Sequence, residues 1–336
     1  MNTTRRGIWQ RLRHAWRVAP SRGTAVSWVA QYVALRLWTL IIGCFPVETN
    51  LRTARLMGDI WWLLLKRHRE RAMDNLRPAL GDRYSEAELR EIARASFQHF
   101  AQLYLVEAVM TPRLVGIWSW ARYVRLHNIG PALRELLSDR GVIMLTAHFG
   151  NYELLGYTIA RLGLPLTAVM RPLDNPLINE FIVSSRRAGG VRLLDKKGAT
   201  DHADETLATG GTLCFIADQD AGRKGVFADF FGRPASWYKS IGLLAMRHNV
   251  PIVVGYAARD GAGFRYAIVV ERIIQPEEWA DRDDPLHWIT RTFAGALEAG
   301  IRRHPEQYLW VHRRWKSQPR KRKGPARQPD AGGAGG

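Results

Sequence analysis

Gly141-Val142-Ile143-Met144-Leu145-Thr146-Ala147-His148-Phe149-Gly150-Asn151-Tyr152-Glu153 changes its periodicity halfway along. Val142 to Ala147 is a short, mostly apolar run behind the polar Asp139-Arg140-Gly141, which reads as a buried strand. His148 ends that run. Gly150 and Asn151 follow, and from Tyr152 to Leu162 the apolar residues take helical spacing. His148 is therefore expected at the carboxyl end of a strand, with Glu153 in the first turn of the next helix. A tight turn would bring the two within hydrogen-bond reach. A histidine held by a carboxylate has one ring nitrogen fixed as donor and the other free to take a proton, as a general base requires. The same residues also fit a plain helix start whose acid is stabilised by the helix dipole.

Outward from this turn, apolar runs alternate with helical patterns. Strands are expected over 142–147, 166–170, 191–194, 212–217, 251–257 and 265–271, and helices near 152–162, 175–188, 200–208, 238–248 and 285–303. That alternation predicts an α/β core over 141–317, a mixed sheet flanked by helices. Residues 51–140 read as helical. Ser85-Glu86-Ala87-Glu88 supplies a cap and two first-turn acids for a long helix through Val109, and 128–139 gives a shorter one. Residues 318–336 are rich in Pro, Arg, Lys and Gly and read as a disordered basic tail.

Residues 1–50 form a basic, amphipathic and apolar segment. Trp9, Leu12 and Trp16 share one face of a helix whose other positions carry Arg11, Arg13 and Arg17, the pattern of an interfacial helix. Thr24 to Ile42 is long enough to reach across a bilayer core, but Arg36 lies at its middle. Both flanks are basic, which conflicts with a single crossing. The segment is read as an anchor that enters the membrane shallowly or returns, rather than a simple span, and no small-residue cleavage pattern follows it.

The chain of 336 residues carries a net charge of +18. Residues 1–23 contribute six of those charges and 319–336 a net four, which leaves eight on the body. The excess suits an anionic lipid surface, an acidic carrier protein or nucleic acid. No helix-turn-helix, zinc or RNP-like pattern supports the last of these. Cys44 and Cys214 have neither metal-ligand nor disulfide-framework spacing, and neither a Gly-Lys phosphate loop nor a G-x-G-x-x-G turn is present.

Three further segments complete the pattern: Met170-Arg171-Pro172-Leu173-Asp174-Asn175-Pro176; Ala217-Asp218-Gln219-Asp220 leading to Val226-Phe227-Ala228-Asp229-Phe230-Phe231-Gly232; and Pro305-Glu306-Gln307-Tyr308-Leu309-Trp310-Val311-His312-Arg313-Arg314-Trp315-Lys316. With His148 to Glu153 they resemble, in order and over residues 25 to 317, the bacterial lipid A biosynthesis acyltransferase family, a branch of the glycerolipid acyltransferase superfamily. The resemblance implies O-acyl transfer from an acyl carrier protein or CoA thioester to a lipid A precursor, with His148 as base and Glu153 fixing its tautomer. It implies no metal, no cofactor and no covalent enzyme intermediate. The implied setting is the inner membrane, with the catalytic domain on the cytoplasmic face. A lysophospholipid or another polar lipid is the alternative acceptor.

Among the other residues, Arg171 suits a substrate phosphate or an ion pair with Asp174. Asn151 suits substrate or a helix cap. Asp218 and Asp220, at a strand end, suit substrate contact or the positioning of basic groups. Arg313, Arg314 and Lys316, interleaved with tryptophans, read as a headgroup or phosphate site.

Overall fold

The computed structural model describes residues 7–170, 172–195 and 199–319. The chain begins with α1 (Ile8–Val18), α2 (Arg22–Gly43), α3 (Val47–Leu64), α4 (Lys66–Leu80) and α5 (Glu86–Gln102). The Ser85–Glu88 capping box starts α5 as the sequence predicts. The expected helix through Val109 is interrupted by a π-helical turn, Leu103–Glu107, and resumes as α6 (Ala108–Leu114). α3 and α5 cross so closely that a Cβ on Gly58 would lie 2.4 Å from the Gln98 Cα.

The sheet domain then runs β1 (Val124–His127), α7 (Ile129–Leu136), β2 (Val142–Thr146), α8 (Tyr152–Arg161), β3 (Leu166–Met170), α9 (Pro176–Ala188), β4 (Val191–Asp195), α10 (Ala199–Ala208) and β5 (Thr212–Ile216). It continues through β6 (Val226–Phe230), β7 (Arg233–Trp237), α11 (Lys239–His248), β8 (Ile252–Arg259), β9 (Tyr266–Ile274) and α12 (Pro285–Arg303). Seven strands form one sheet in the order β1-β9-β8-β2-β5-β3-β4. The β8–β9 pair is antiparallel and every other neighbour is parallel, so the sheet is mixed.

β2 lies centrally and is buried on both faces. Ile143 and Leu145 join one core with α4, α5, α11 and α12, while Val142 and Met144 join the other with α6, α7 and α8. That two-sided burial is why the strand reads as a continuous apolar run rather than an alternating one.

Four strands differ from the sequence reading. β1 is an additional four-residue edge strand. β6 and β7 form a separate hairpin whose two-residue loop, Phe231-Gly232, has positive φ at both positions, the geometry of a type I′ turn. β9 extends to Ile274.

α1 and α2 dock on α9. Ala15, Tyr32 and Leu177 form a small core with Leu12, Trp28, Ile178 and Phe181 around it. The guanidinium of Arg36 lies 5.7 Å from the Phe181 ring centre and donates to the Tyr32 hydroxyl, which accounts for a cation in an apolar helix. The outer face of α2 exposes Val26, Val33, Leu37, Leu40 and Ile41. α2 is the one helix among the described residues long and apolar enough to cross a membrane. Its exposed stripe fits a membrane-docking face.

Candidate functional site

β2 and β5 are neighbours in parallel register, with Thr146 opposite Ile216. Their carboxyl ends therefore deliver His148 and Asp218 to the same place. Sites in α/β sheets form at such strand ends. Asp218 is fully buried, and its Oδ1 accepts from the backbone N–H of His148 at 3.1 Å and lies 2.8 Å from His148 Nδ1. Burial alone would push the Asp218 carboxyl up. The His148 ring outweighs it through charge and hydrogen bond, with help from His312, and the pKa falls to about 2. The carboxylate is thus ionised and can only accept, so Nδ1 carries the ring proton. In the unprotonated ring this leaves the Nε2 lone pair as the site that can take a proton.

The turn that carries His148 is clamped on three sides. Gly150 N–H donates to Gln307 C=O at 3.0 Å, Asn151 N–H to Ala257 C=O at 2.8 Å, and Leu309 N–H to His148 C=O at 3.0 Å. Gly150 has φ +58°, and a Cβ there would meet the Ala257 carbonyl oxygen at 2.0 Å, so glycine is required on both counts. Beneath the turn, buried His99 contacts the Gly150 carbonyl at 3.1 Å. Burial, then the charge of Arg259, lowers the His99 pKa to about 3. Its imidazole is therefore neutral and donates through Nε2.

Asn151 is completely buried. Its Oδ1 accepts from Leu154 N–H at 2.8 Å, capping α8, and its amide donates to Glu107 at 2.8 Å. Glu107, the last residue of the π-helical turn, in turn pairs with Arg259. The possible substrate role of Asn151 gives way to the cap, because both ends of its amide are engaged inside the protein.

The expected pairing of Glu153 with His148 is corrected. Glu153 does lie in the first turn of α8, but both of its oxygens receive the Arg186 guanidinium from α9, one at 2.9 Å. The carboxylate on the histidine ring comes from seventy residues downstream, Asp218. Asp220 accepts from the Ser317 hydroxyl at 2.9 Å and its N–H at 3.3 Å, tying down the chain after the last motif. It positions backbone there.

The basic run near the end divides. Arg313 and Lys316 are exposed. Arg314 is 1% exposed, donates to Ser236 C=O at 2.7 Å, and lies 4.0 Å from the Trp237 ring centre. It is a buried packing cation rather than a headgroup contact, because the chain turns it inward under the β6–β7 hairpin. Arg171 lies outside the described residues.

One residue at the site was not singled out from sequence. His312 places its ring 4.6 Å from that of His148, centre to centre and nearly perpendicular. Burial, then the positive charge His148 carries when protonated, lowers its pKa to about 4, so at neutral pH His312 is a neutral imidazole. Its only sequence signal is its place beside the Arg313-Arg314 run. One donor atom from each of His148, Asp218 and His312 lies within 4.8 Å of the others, a set that could hold a divalent cation. His148 Nδ1 and Asp218 Oδ1 already engage each other at 2.8 Å, so an ion held through those two atoms would replace that hydrogen bond. As it stands, the arrangement is a buried carboxylate, an oriented histidine and a free Nε2. It can take a proton from a hydroxyl and hold it as imidazolium.

Comparison with known proteins places the chain in one family. Residues 19–317 match the family described as bacterial lipid A biosynthesis acyltransferase. The lipid A biosynthesis palmitoleoyltransferase of Escherichia coli K12 is 27% identical over 301 residues, covering 87% of this chain and 92% of its own. The lauroyltransferase of the same organism is 25% identical, covering 84% and 90%. A phosphatidylinositol mannoside acyltransferase of Mycolicibacterium smegmatis is 25% identical, covering 67% and 72%.

Proposed function

The chain belongs to the bacterial lipid A biosynthesis acyltransferase family and is an acyltransferase, and from that premise we propose that it moves a fatty acyl chain from an acyl carrier protein or CoA thioester to a hydroxyl of a lipid A precursor. The observation that carries the mechanism is the contact between His148 Nδ1 and the buried Asp218 carboxylate. His148 Nε2 removes the proton of the acceptor hydroxyl, and that oxygen attacks the thioester carbonyl. Asp218 stabilises the imidazolium through its charge and its hydrogen bond. The tetrahedral intermediate collapses, the carbon–sulfur bond breaks, and the imidazolium returns its proton to the departing thiolate. These steps need no enzyme-bound acyl group and no metal. They have the logic of a catalytic triad in which the substrate hydroxyl takes the place of the serine.

Arg171 is proposed for a substrate phosphate, with an ion pair to Asp174 as the alternative. The exposed apolar face of α2 and the basic N-terminal residues support a setting on an anionic inner-membrane surface, with the sheet domain on the cytoplasmic side. Acyl carrier protein and CoA donors tested against a lipid A precursor, lysophospholipids and a phosphatidylinositol mannoside, read by mass spectrometry, test the acceptor. Product on the disaccharide precursor supports the reading. Product only on another lipid replaces the acceptor and keeps the dyad.

A further inference from the structure

α4 opens on Lys66-Arg67-His68-Arg69 and adds Arg71, with Glu70 as the one acid among them. Two of these cations are already engaged. Lys66 pairs with Glu70 at 3.8 Å, and Arg69 donates to Trp62 C=O at 2.8 Å. Among the described residues, neither Arg67 nor Arg71 has an acid as ion-pair partner. They stand four residues apart on one helix face, where like charges repel. Arg71 Nη1 reaches Val311 C=O at 3.5 Å, which brings it beside Arg313. One turn further on, Asn75 donates to the carbonyls of Trp310 and His312 at 2.7 and 2.8 Å. α4 is thus fastened to the segment that carries His312, whose ring meets His148.

Among the described residues, neither Arg67 nor Arg313 has an ion pair or a side-chain hydrogen bond, and both are exposed. After burial, the charges of Arg313 and Arg67 are what lower the pKa of Arg71. Three cations are therefore held together at the edge of the reaction centre at an electrostatic cost. Just before them, Leu63, Leu64 and Leu65 are 69%, 73% and 41% exposed. An apolar tip followed by a ring of guanidinium groups matches the depth profile of a bilayer surface, where phosphate lies directly above the acyl region.

We propose that Arg67, Arg71 and Arg313 bind a phosphate on the headgroup of the acceptor lipid, while Leu63 to Leu65 enter the acyl layer around it. Guanidinium groups grip phosphate in bidentate fashion, so three of them fix both position and orientation. The site rests on the acyl-transfer reading and adds the anchor that holds an acceptor hydroxyl in line with His148.

The test is the full chain with Arg67→Gln and Arg313→Gln together, assayed on a phosphorylated acceptor and on the same acceptor after phosphatase treatment. KM for the phosphorylated acceptor should rise about tenfold, about threefold for each of the two exposed charged contacts removed, with kcat nearly unchanged. On the dephosphorylated acceptor the variant should match the parent. Equal losses on both acceptors overturn the proposal. So does a KM change on the acyl donor instead, which would assign the cluster to the carrier's phosphate. Calorimetric titration with short-chain phosphatidic acid in detergent reads the site without turnover. Affinity should be about tenfold weaker in the variant, and equal affinity overturns the proposal. Weaker binding in the variant together with no transfer by the parent on any acceptor would keep the site and refute the acyl-transfer reading.

Discussion

Replacing Asp218 by asparagine separates the carboxylate that holds His148 from the one the local sequence suggests. The oxygen of the new amide can still accept from the His148 backbone N–H, a 3.1 Å contact in the parent, so the turn keeps its shape. What is lost is the negative charge beside the ring. With centres of charge about 4 Å apart and an effective dielectric constant of about 20, an imidazolium and a carboxylate attract by about 4 kcal/mol. An amide dipole recovers a minor part of this. A net loss of about 3 to 4 kcal/mol in the transition state corresponds to a fall in kcat of about 200- to 1000-fold. The same charge matters much less before the proton moves, because a base acts from its unprotonated form, so KM for the acceptor should change little. Steady-state acyl transfer by the full chain in detergent measures both constants. Glu153→Gln belongs alongside it. That change breaks the Arg186 pair and should lower thermal stability modestly, while kcat falls less than about tenfold. Near-normal turnover in Asp218→Asn together with an inactive, folded Glu153→Gln would refute the assignment of Asp218 and restore the local pairing.

Gly150→Ala should destabilise the chain by about 2 to 5 kcal/mol, since it adds left-handed backbone strain to a Cβ 2.0 Å from the Ala257 oxygen. An unchanged thermal midpoint would contradict the clamped turn. Arg314→Ala should cost about 2 to 4 kcal/mol by emptying the space beside Trp237 and removing the charged hydrogen bond to Ser236 C=O, while Arg313→Ala should leave stability unchanged. Equal melts for the two would contradict their opposite placement. His99 and His312 both have folded pKa values depressed from 6.5, to about 3 and about 4. Below pH 6.5 the unfolded chain takes up these protons and the native chain does not, so stability is intact above 6.5 and declines as pH falls toward 4. At pH 5 the loss is about 2 kcal/mol for each. Denaturant unfolding between pH 7 and 5 should show the decline, and His312→Gln should reduce it. A flat profile would show that neither ring is held neutral.

The sheet was legible because β2, β3, β5 and β8 are short apolar runs whose faces both meet a core, and turn residues bound each of them. His148 was legible because a strand ended on it. Its partner was not. Glu153 lies five residues away along the chain, and local reasoning favours near neighbours. Asp218 reaches the ring only because β5 happens to pair with β2, a choice the order of the sequence does not state. The split of Arg313 from Arg314 failed for a similar reason. A run of like charges does not reveal which member is drawn under the β6–β7 hairpin to stack on Trp237. The hairpin was obscured because its loop has Phe231 at positive φ, where Asn or Asp would have announced it. The π-helical turn carries no sequence punctuation. It shifts the helix by part of a turn and places Glu107 against Asn151 and Arg259.

The central claim is that His148 takes the acceptor's proton in an acyl transfer to a lipid A precursor. Its most direct test is mass-spectrometric detection of acylated precursor from purified full-length chain beside His148→Ala, with thermal melts showing that both are folded. A product heavier by one acyl group is expected with the parent, and a loss of at least about 100-fold in the variant. Product formed at a similar rate by folded His148→Ala would contradict it.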